Sequence, residues 1–322
     1  MGYDGEEERQ RGIKFEEKIT RMINSRNYSK FTPKKLAKHL FVGNPVDHLI
    51  SYLLQKENLN LKNITGIKAY WLGGKATSGE GDELFDYQGN LVEKSKSDII
   101  IEFIISGNKR ILKGISVKSC RVKKPTNAQL FCTGARAFTD LLSNNKINVS
   151  EEAVKCLRMF CGDAGCSPQD LLSPTELQKR KSLPRNHERY FWEELPDPGR
   201  SSLEAIFTSE QDKITQLILQ KAYKDDPFPP EYIFHQTKKY QDINEIEMAI
   251  YTMEEFVSFS RYYKGFHFYK RKVTKGRFKG DPGEHLYPRF GFIQFQRFGN
   301  KLNATELQFN LKAGYFYDID KM

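Results

Sequence analysis

Two apolar runs, Ile99 to Ile105 and Ile111 to Val117, sit inside the stretch Ser97 to Lys118, SDIIIEFIISGNKRILKGISVK. The pattern predicts two strands joined by a Ser106-Gly107-Asn108 turn. Side chains alternate faces along a strand, so Asp98, Ile100 and Glu102 share one side and Ile99, Ile101 and Phe103 the other. A hairpin centred on Gly107 or Asn108 puts Asp98 across from Ser116 or Lys118, on the same side of the sheet. Short-range geometry thus brings an acid and a lysine together beside a sheet end.

Upstream, Ile13, Phe15, Ile19, Met22 and Ile23 make Gly12 to Ile23 an amphipathic helix that carries Glu16 and Glu17. Thr32-Pro33 predicts a helix start running to about Phe41. Gly43-Asn44-Pro45 breaks it, and a second helix follows from about Val46 to Gln55. Ile67 to Leu72 alternates as a strand and enters a glycine-rich loop, Gly73 to Glu83, bearing Glu80, Asp82 and Glu83. That loop lacks the Walker spacing, which excludes a nucleoside-triphosphate site of that kind.

Downstream, Thr126 with Gln129 three residues on forms a capping box and predicts a helix there. Residues 151–162, His187 to Leu195, Glu210 to Ala222 and Ile243 to Tyr262 read as further helices, with a Pro-, Ser- and Lys-rich connector from about Ser167 to Arg185. Strands return from Gly265, with Phe290, Phe292, Phe295 and Phe298 apolar and Gln294, Gln296 and Arg297 between them. The expected class is α/β (α+β): a central mixed β-sheet flanked by helices, then a C-terminal β-rich basic part. Two regions are expected. Residues 1–165 hold the core with an N-terminal helical region, and 166–322 hold the helical connector and the β-rich region. One continuous domain is the alternative.

Composition adds a partner class. The 322 residues are 39% hydrophobic, enough for a sizeable core. Fifty-one Lys and Arg against 41 Asp and Glu leave a net charge of +10, which favours a polyanionic partner. The positive charge gathers at Arg121, Lys123 and Lys124, and again at Lys264, Lys270, Arg271, Lys272, Lys275, Arg277, Lys279 and Arg289. A charged N-terminus and the lack of a long apolar run predict no membrane span and a cytoplasmic protein. Five cysteines, an odd number, are expected as free thiols. Cys156, Cys161 and Cys166 stand five apart, which does not match the usual zinc pair. The six histidines show no metal-ligand spacing.

An acid and a lysine at one sheet end suit phosphodiester hydrolysis, which needs a hard cation on the phosphate and a water that can be deprotonated. Magnesium takes one or two carboxylates plus waters. Lys118 is placed to orient that water, and Glu16, Glu17, Glu102 and Asp82 are candidates for a second carboxylate. Arg121, Lys123 and Lys124, followed by Thr126, Asn127 and Gln129 at a predicted helix N-terminus, form a candidate phosphate contact. Lys270, Lys272, Arg289, Gln294, Gln296 and Arg297 are candidates for base readout, arginine against guanine and glutamine against adenine.

These pieces resemble type II restriction endonucleases of the PD-(D/E)xK superfamily, more closely the MspI-like enzymes and more loosely HpaII. The matching pieces run in one order: Lys96-Ser97-Asp98, then Ile115-Ser116-Val117-Lys118 with its basic run, Ala128, Cys132-Thr133-Gly134, Arg189-Tyr190-Phe191-Trp192, and Glu306-Leu307-Gln308-Phe309. The resemblance spans from about residue 90 to the end, with gaps. It implies a restriction-endonuclease-like core, Asp98 as metal ligand with Val117 the other metal contact, Lys118 as catalytic lysine, and Mg2+ as cofactor. It implies double-stranded DNA as substrate, cut at a short specific sequence, and a companion DNA methyltransferase. A homodimer suits a palindromic site. Ser116 occupies the place usually held by Asp or Glu, though the MspI-like enzymes also carry a neutral residue there. Some superfamily members with Ser here draw a glutamate from the following helix, where this chain offers Gln129. Two alternatives stay open: a structure-specific or repair nuclease of the same superfamily, and a DNA-binding protein without catalysis.

Overall fold

The computed structural model describes residues 5–75, 79–120, 122–180, 190–221, 225–272, 284–297 and 306–322, with the backbone alone at 5–9, 11, 180, 271, 272, 284 and 297. The chain divides into two units. The first comprises Met1–Ala128, Leu219–Phe256 and Ala313–Met322, and the second Gln129–Ile218 and Val257–Lys312. The units exchange segments along the sequence, where a single boundary near residue 165 is the sequence expectation.

The first unit is built on a six-stranded mixed sheet. Its strands are β1 (Leu40–Gly43), β2 (Ile64–Trp71), β3 (Ile99–Ile105), β4 (Lys109–Lys118), β6 (Tyr232–Gln236) and β7 (Ile246–Thr252), in the order β1-β7-β6-β4-β3-β2. Only the β4–β6 pair is parallel. Helices α1 (Gly5–Asn24) and α2 (Pro45–Lys56) belong to the same unit. Phe15, Ile19 and Ile23 of α1 and Leu49, Ile50 and Leu53 of α2 are buried in one core with Ile99, Ile101, Phe103, Ile115 and Val117. Ile100 and Leu112 point the other way and pack with Leu72, Leu84, Val92 and Phe228. The period-two pattern of the hairpin is therefore realised with an apolar layer on both faces.

Several predicted elements form as expected and others do not. Asn44 caps α2, its Oδ1 accepting from Val46 N at 3.0 Å and Asp47 N at 3.2 Å, with Pro45 in the first turn. No helix forms from Thr32 to Phe41. Lys34 N donates to Ser51 Oγ, Leu36 N donates to Gln55 Oε1, and Gln55 Nε2 donates to Leu36 O. Side chains of α2 thus satisfy the backbone that a helix would have satisfied internally, and β1 follows. The expected helix from Ile243 to Tyr262 is β7 followed by a helix confined to Met253–Ser260. Ile246, Met248, Ala249, Ile250 and Tyr251 are all buried, and an apolar run buried on both faces carries no period-two signal. The same burial hid β6.

Gly114 faces the chain that holds the hairpin in place. A Cβ there would fall 2.3 Å from Ser97 Oγ and 2.8 Å from Pro229 O. Gly114→Ala is expected to cost about 1–3 kcal/mol through overpacking, measured by urea denaturation. An unchanged midpoint would show that this contact yields freely.

The second unit holds a five-stranded sheet, β5 (Ala128–Gly134), β8 (Phe266–Lys272), β9 (Glu284–Phe290), β10 (Ile293–Arg297) and β11 (Glu306–Leu311), ordered β5-β11-β10-β9-β8. Its core is aromatic: Phe138 meets Phe309 at 4.8 Å between ring centroids, Phe207 meets Phe290 at 4.9 Å, and Trp192 meets Phe295 at 5.5 Å. Such offset and edge-on ring pairs add to simple area burial. The helix expected after Thr126 is strand β5, and the next helix begins at Ala135 with Gly134 as its N-cap. Trp192–Glu194 is a single 3₁₀ turn, and residues 187–189 of the expected aromatic helix lie outside the described residues. The 167–185 connector contains two short helices, Pro168–Leu171 and Pro174–Arg180. Among the described residues no helix is long and apolar enough to cross a membrane.

Candidate active site

The β3–β4 hairpin pairs Ile99 with Ile115 and Ile105 with Lys109, so it is centred on Gly107. Gly107 and Asn108 both take positive φ, 86° and 60°, as a tight turn with Gly and Asn there allows. This register sets Asp98 across from Ser116. Asp98 N donates to Ile115 O at 2.9 Å, which extends the ladder by one step.

The Asp98 carboxylate is the hub. Its Oδ2 accepts from Val117 N at 2.6 Å, and Ser116 Oγ and Lys118 Nζ each lie 3.4 Å from it. Lys118 Nζ also donates to Val117 O at 3.0 Å. The Asp98 carbonyl accepts from Leu72 N at 2.9 Å and Gly73 N at 3.1 Å, which ties the start of β3 to the end of β2. Ahead of Asp98 the chain is latched: Ser95 Oγ and Ser97 Oγ donate to Phe228 O, and Lys96 N donates to Asp226 Oδ2 at 2.6 Å.

Glu16 of α1 is the second carboxylate here. It is 9% exposed and accepts from Trp71 Nε1 at 3.1 Å. A Cβ at Gly73 would fall 2.1 Å from Glu16 Oε2, so the carboxylate lies against the same Gly73 backbone that bonds Asp98. Burial, and after it the charge of Asp98, push Glu16 up to about 8, against the lowering effects of the Trp71 hydrogen bond and Lys118. Glu102 is not part of this group. It lies four residues along β3, about 13 Å away, and is paired with Arg110 and with the Tyr70 hydroxyl. Glu17 pairs with Arg21, and Asp82 accepts from Trp71 N at 2.8 Å as part of the loop's own framework.

Two further groups sense Lys118. Burial, then the Lys118 charge, lower Lys96 to about 8 against the opposing charges of Asp98 and Asp226. His235 stands beside Lys118 in the parallel β4–β6 register and shares a hydrogen bond with the Tyr315 hydroxyl at 3.2 Å. Burial and the Lys118 charge lower it to about 3, so its ring is neutral. Sequence reasoning missed both. Lys96 could have been found by the period-two rule, since it precedes Asp98 by two; His235 had no signal without β6.

The donors here are hard oxygens: the carboxylates of Asp98 and Glu16 and the carbonyl of Val117. Two carboxylates whose charges oppose each other, with a main-chain oxygen nearby, fit a magnesium ion that keeps several waters. Among the described residues no group of three or more His, Cys, Asp or Glu is placed to hold a metal, which also removes Cys156, Cys161 and Cys166 as a zinc set.

The candidate DNA contacts separate. Lys123, Lys124, Thr126 and Asn127 are exposed on a loop folded over Cys120, whose Sγ lies 3.5 Å from Val122 O and 3.3 Å from Lys124 O. Because β5 replaces the expected helix, no helix N-terminus backs this loop. Gln129 is on β5. Lys270 shares a face of β8 with Phe266 and Phe268, whereas Arg289, Gln294 and Gln296 lie on the opposite face of their sheet. Arg121 lies outside the described residues, as do the side chains of Lys272 and Arg297.

No protein-family model matches the chain, and no curated protein matches it. Among solved structures the chain is similar to the restriction endonuclease MspI in complex with its cognate DNA, over 81% of this chain and 76% of that one. The two are 14% identical, with a TM-score of 0.45. A likeness of that extent does not bear on activity.

Proposed function

We propose that the chain is a magnesium-dependent endonuclease that hydrolyses phosphodiester bonds in double-stranded DNA at a short specific sequence, as type II restriction endonucleases do. The observation that carries the reading is the convergence of Val117 N, Ser116 Oγ and Lys118 Nζ on Asp98 Oδ2, with the buried Glu16 carboxylate beside Gly73. Asp98, Glu16 and the Val117 carbonyl would hold the cation. When bound, the cation supplies positive charge to the phosphate oxygens and makes a nearby water easier to deprotonate. Lys118, held between Asp98 and Val117 O, orients the attacking water and stabilises charge as it develops on the phosphate. Ser116 keeps Asp98 in its rotamer rather than adding a carboxylate. The net charge of +10 supports a polyanionic substrate. A homodimer, a companion methyltransferase and a cytoplasmic location belong to this reading.

The test is digestion of phage DNA with magnesium, followed by sequencing of the fragment ends. Discrete bands with one shared end sequence are expected. Cutting that needs junctions or mismatches would transfer the activity to a repair nuclease. Salt-dependent DNA binding with no cutting would leave a binding protein, a reading that neutral Ser116 favours.

A further inference from the structure

The outer face of the five-stranded sheet carries an ordered row of amides. Gln296 Nε2 on β10 donates to Gln308 Oε1 on β11 at 3.1 Å, and Gln308 Nε2 donates to Gln129 Oε1 on β5 at 2.7 Å. Gln296 and Gln308 are direct cross-strand partners, and Gln294 stands opposite both Asn310 and Arg289. The row therefore continues across β10 to β9. Gln129 is exposed, and Gln308, Gln296 and Arg289 are half-buried.

Three features distinguish this face from ordinary sheet decoration. First, the bonds run head to tail, so each amide has a set orientation. Each bond in the row engages one N–H and one carbonyl lone pair. An amide has two of each, so Gln308 keeps one donor and one acceptor directed off the row. A fixed donor–acceptor pair matches the N6 and N7 edge of adenine in the major groove. Second, Arg289 stands across from Gln294 on this face and places a guanidinium at the end of the row. Third, the surrounding sequence is strongly cationic: from Lys264 to Arg297 there are nine Lys and Arg against two acids, Asp281 and Glu284. The acid at the start of β11, Glu306, accepts from Cys132 Sγ at 3.3 Å. Pairing across strands is by itself a stabilising device. It does not require a guanidinium at the end of the row.

We infer that the row Gln129–Gln308–Gln296, continued by Arg289, is a base-reading surface for the major groove of duplex DNA. This rests on the proposed DNA substrate but not on catalysis. It adds Gln308 to the recognition set and excludes Lys270, which lies on the other face.

The experiment is selection by the full-length protein from a pool of randomised DNA duplexes, without divalent cation, so that binding is read apart from cutting. The wild type is expected to enrich one short sequence. Gln308→Ala and Gln296→Ala are each expected to lose the preference at one or two neighbouring base pairs by about tenfold, leaving the other positions as they were. Gln308→Glu, which keeps the size and changes the hydrogen-bonding pattern, is expected to alter the same positions. Thermal melts of all variants separate this from loss of folding, and a folded variant of either residue suffices. No enrichment by the wild type, or identical preferences in folded variants, would overturn the inference. Enrichment by a wild type that never cuts DNA would instead overturn the endonuclease reading and leave this one standing.

Discussion

Lys118→Met is expected to reduce the single-turnover rate of DNA cleavage by about 10²–10⁴-fold, the usual range for loss of one proton-handling or charge-stabilising group. Lys118 Nζ bonds Val117 O and faces Asp98, and its aliphatic stem is part of a half-buried hairpin end. Methionine keeps the stem and removes the charge, so folding should survive while the ammonium's work is lost. Asp98→Asn is expected to have an effect of the same order. It keeps the size and can still accept from Val117 N, but it weakens the hold on a divalent cation. DNA affinity measured without cation separates binding from chemistry: both variants should bind. Loss of binding in step with loss of rate would show that these residues grip DNA rather than act on it.

The second large effect is on stability against pH. Glu16 is expected to make the metal-free protein less stable as pH rises. Its carboxyl titrates near 4.5 when unfolded and is pushed up to about 8 when folded. Between those values the folded state holds a proton that the unfolded state has released, so stability falls across that window. It is highest below about 4.5, where both states are protonated, and lowest above 8, where both are ionised. The span is at most about 5 kcal/mol, the limit set by a carboxyl moved from 4.5 to about 8. Glu16→Gln should remove this slope and be the more stable form at pH 8.5. Millimolar magnesium should restore stability to the wild type above pH 7 and do less for Glu16→Gln. Parallel stability curves for the two proteins would mean that Glu16 carries its charge without penalty.

The hairpin was legible because its information is local. A short turn with Gly107 and Asn108 between two apolar runs narrows the register to two choices, and the one that forms, centred on Gly107, places Asp98 against Ser116. Glu16 was a candidate only as an acid on an amphipathic helix; nothing in its spacing distinguished it from Glu17. Position on the fold made the difference, since Glu16 turns inward to Trp71 while Glu17 meets Arg21 at the surface. Glu102 shows the converse. It shares Asp98's face, but facing the same side is not the same as being near, and Arg110 neutralises it.

The failures have two physical causes. Central strands buried on both faces, β6 and β7, lack the alternation that marks a strand, so His235 was invisible as a neighbour of Lys118. Local cap signals were overridden by tertiary partners. The chain after Thr32-Pro33 is kept out of a helix by Ser51 and Gln55, which accept from Lys34 N and Leu36 N, and Thr126 to Gln129 leads into β5, whose pairing with β11 overrides the capping signal. The C-terminal strands were recognised from their phenylalanines, but without pairing partners their polar residues could not be sorted between faces.

The most direct measurement compares wild type with Asp98→Ala on the same supercoiled and linear DNA, with magnesium and with EDTA, at matched protein concentration. The wild type with magnesium should give discrete products, and the other three combinations should leave the DNA intact. Cutting by Asp98→Ala at the wild-type rate, or equal cutting in EDTA, would contradict the account.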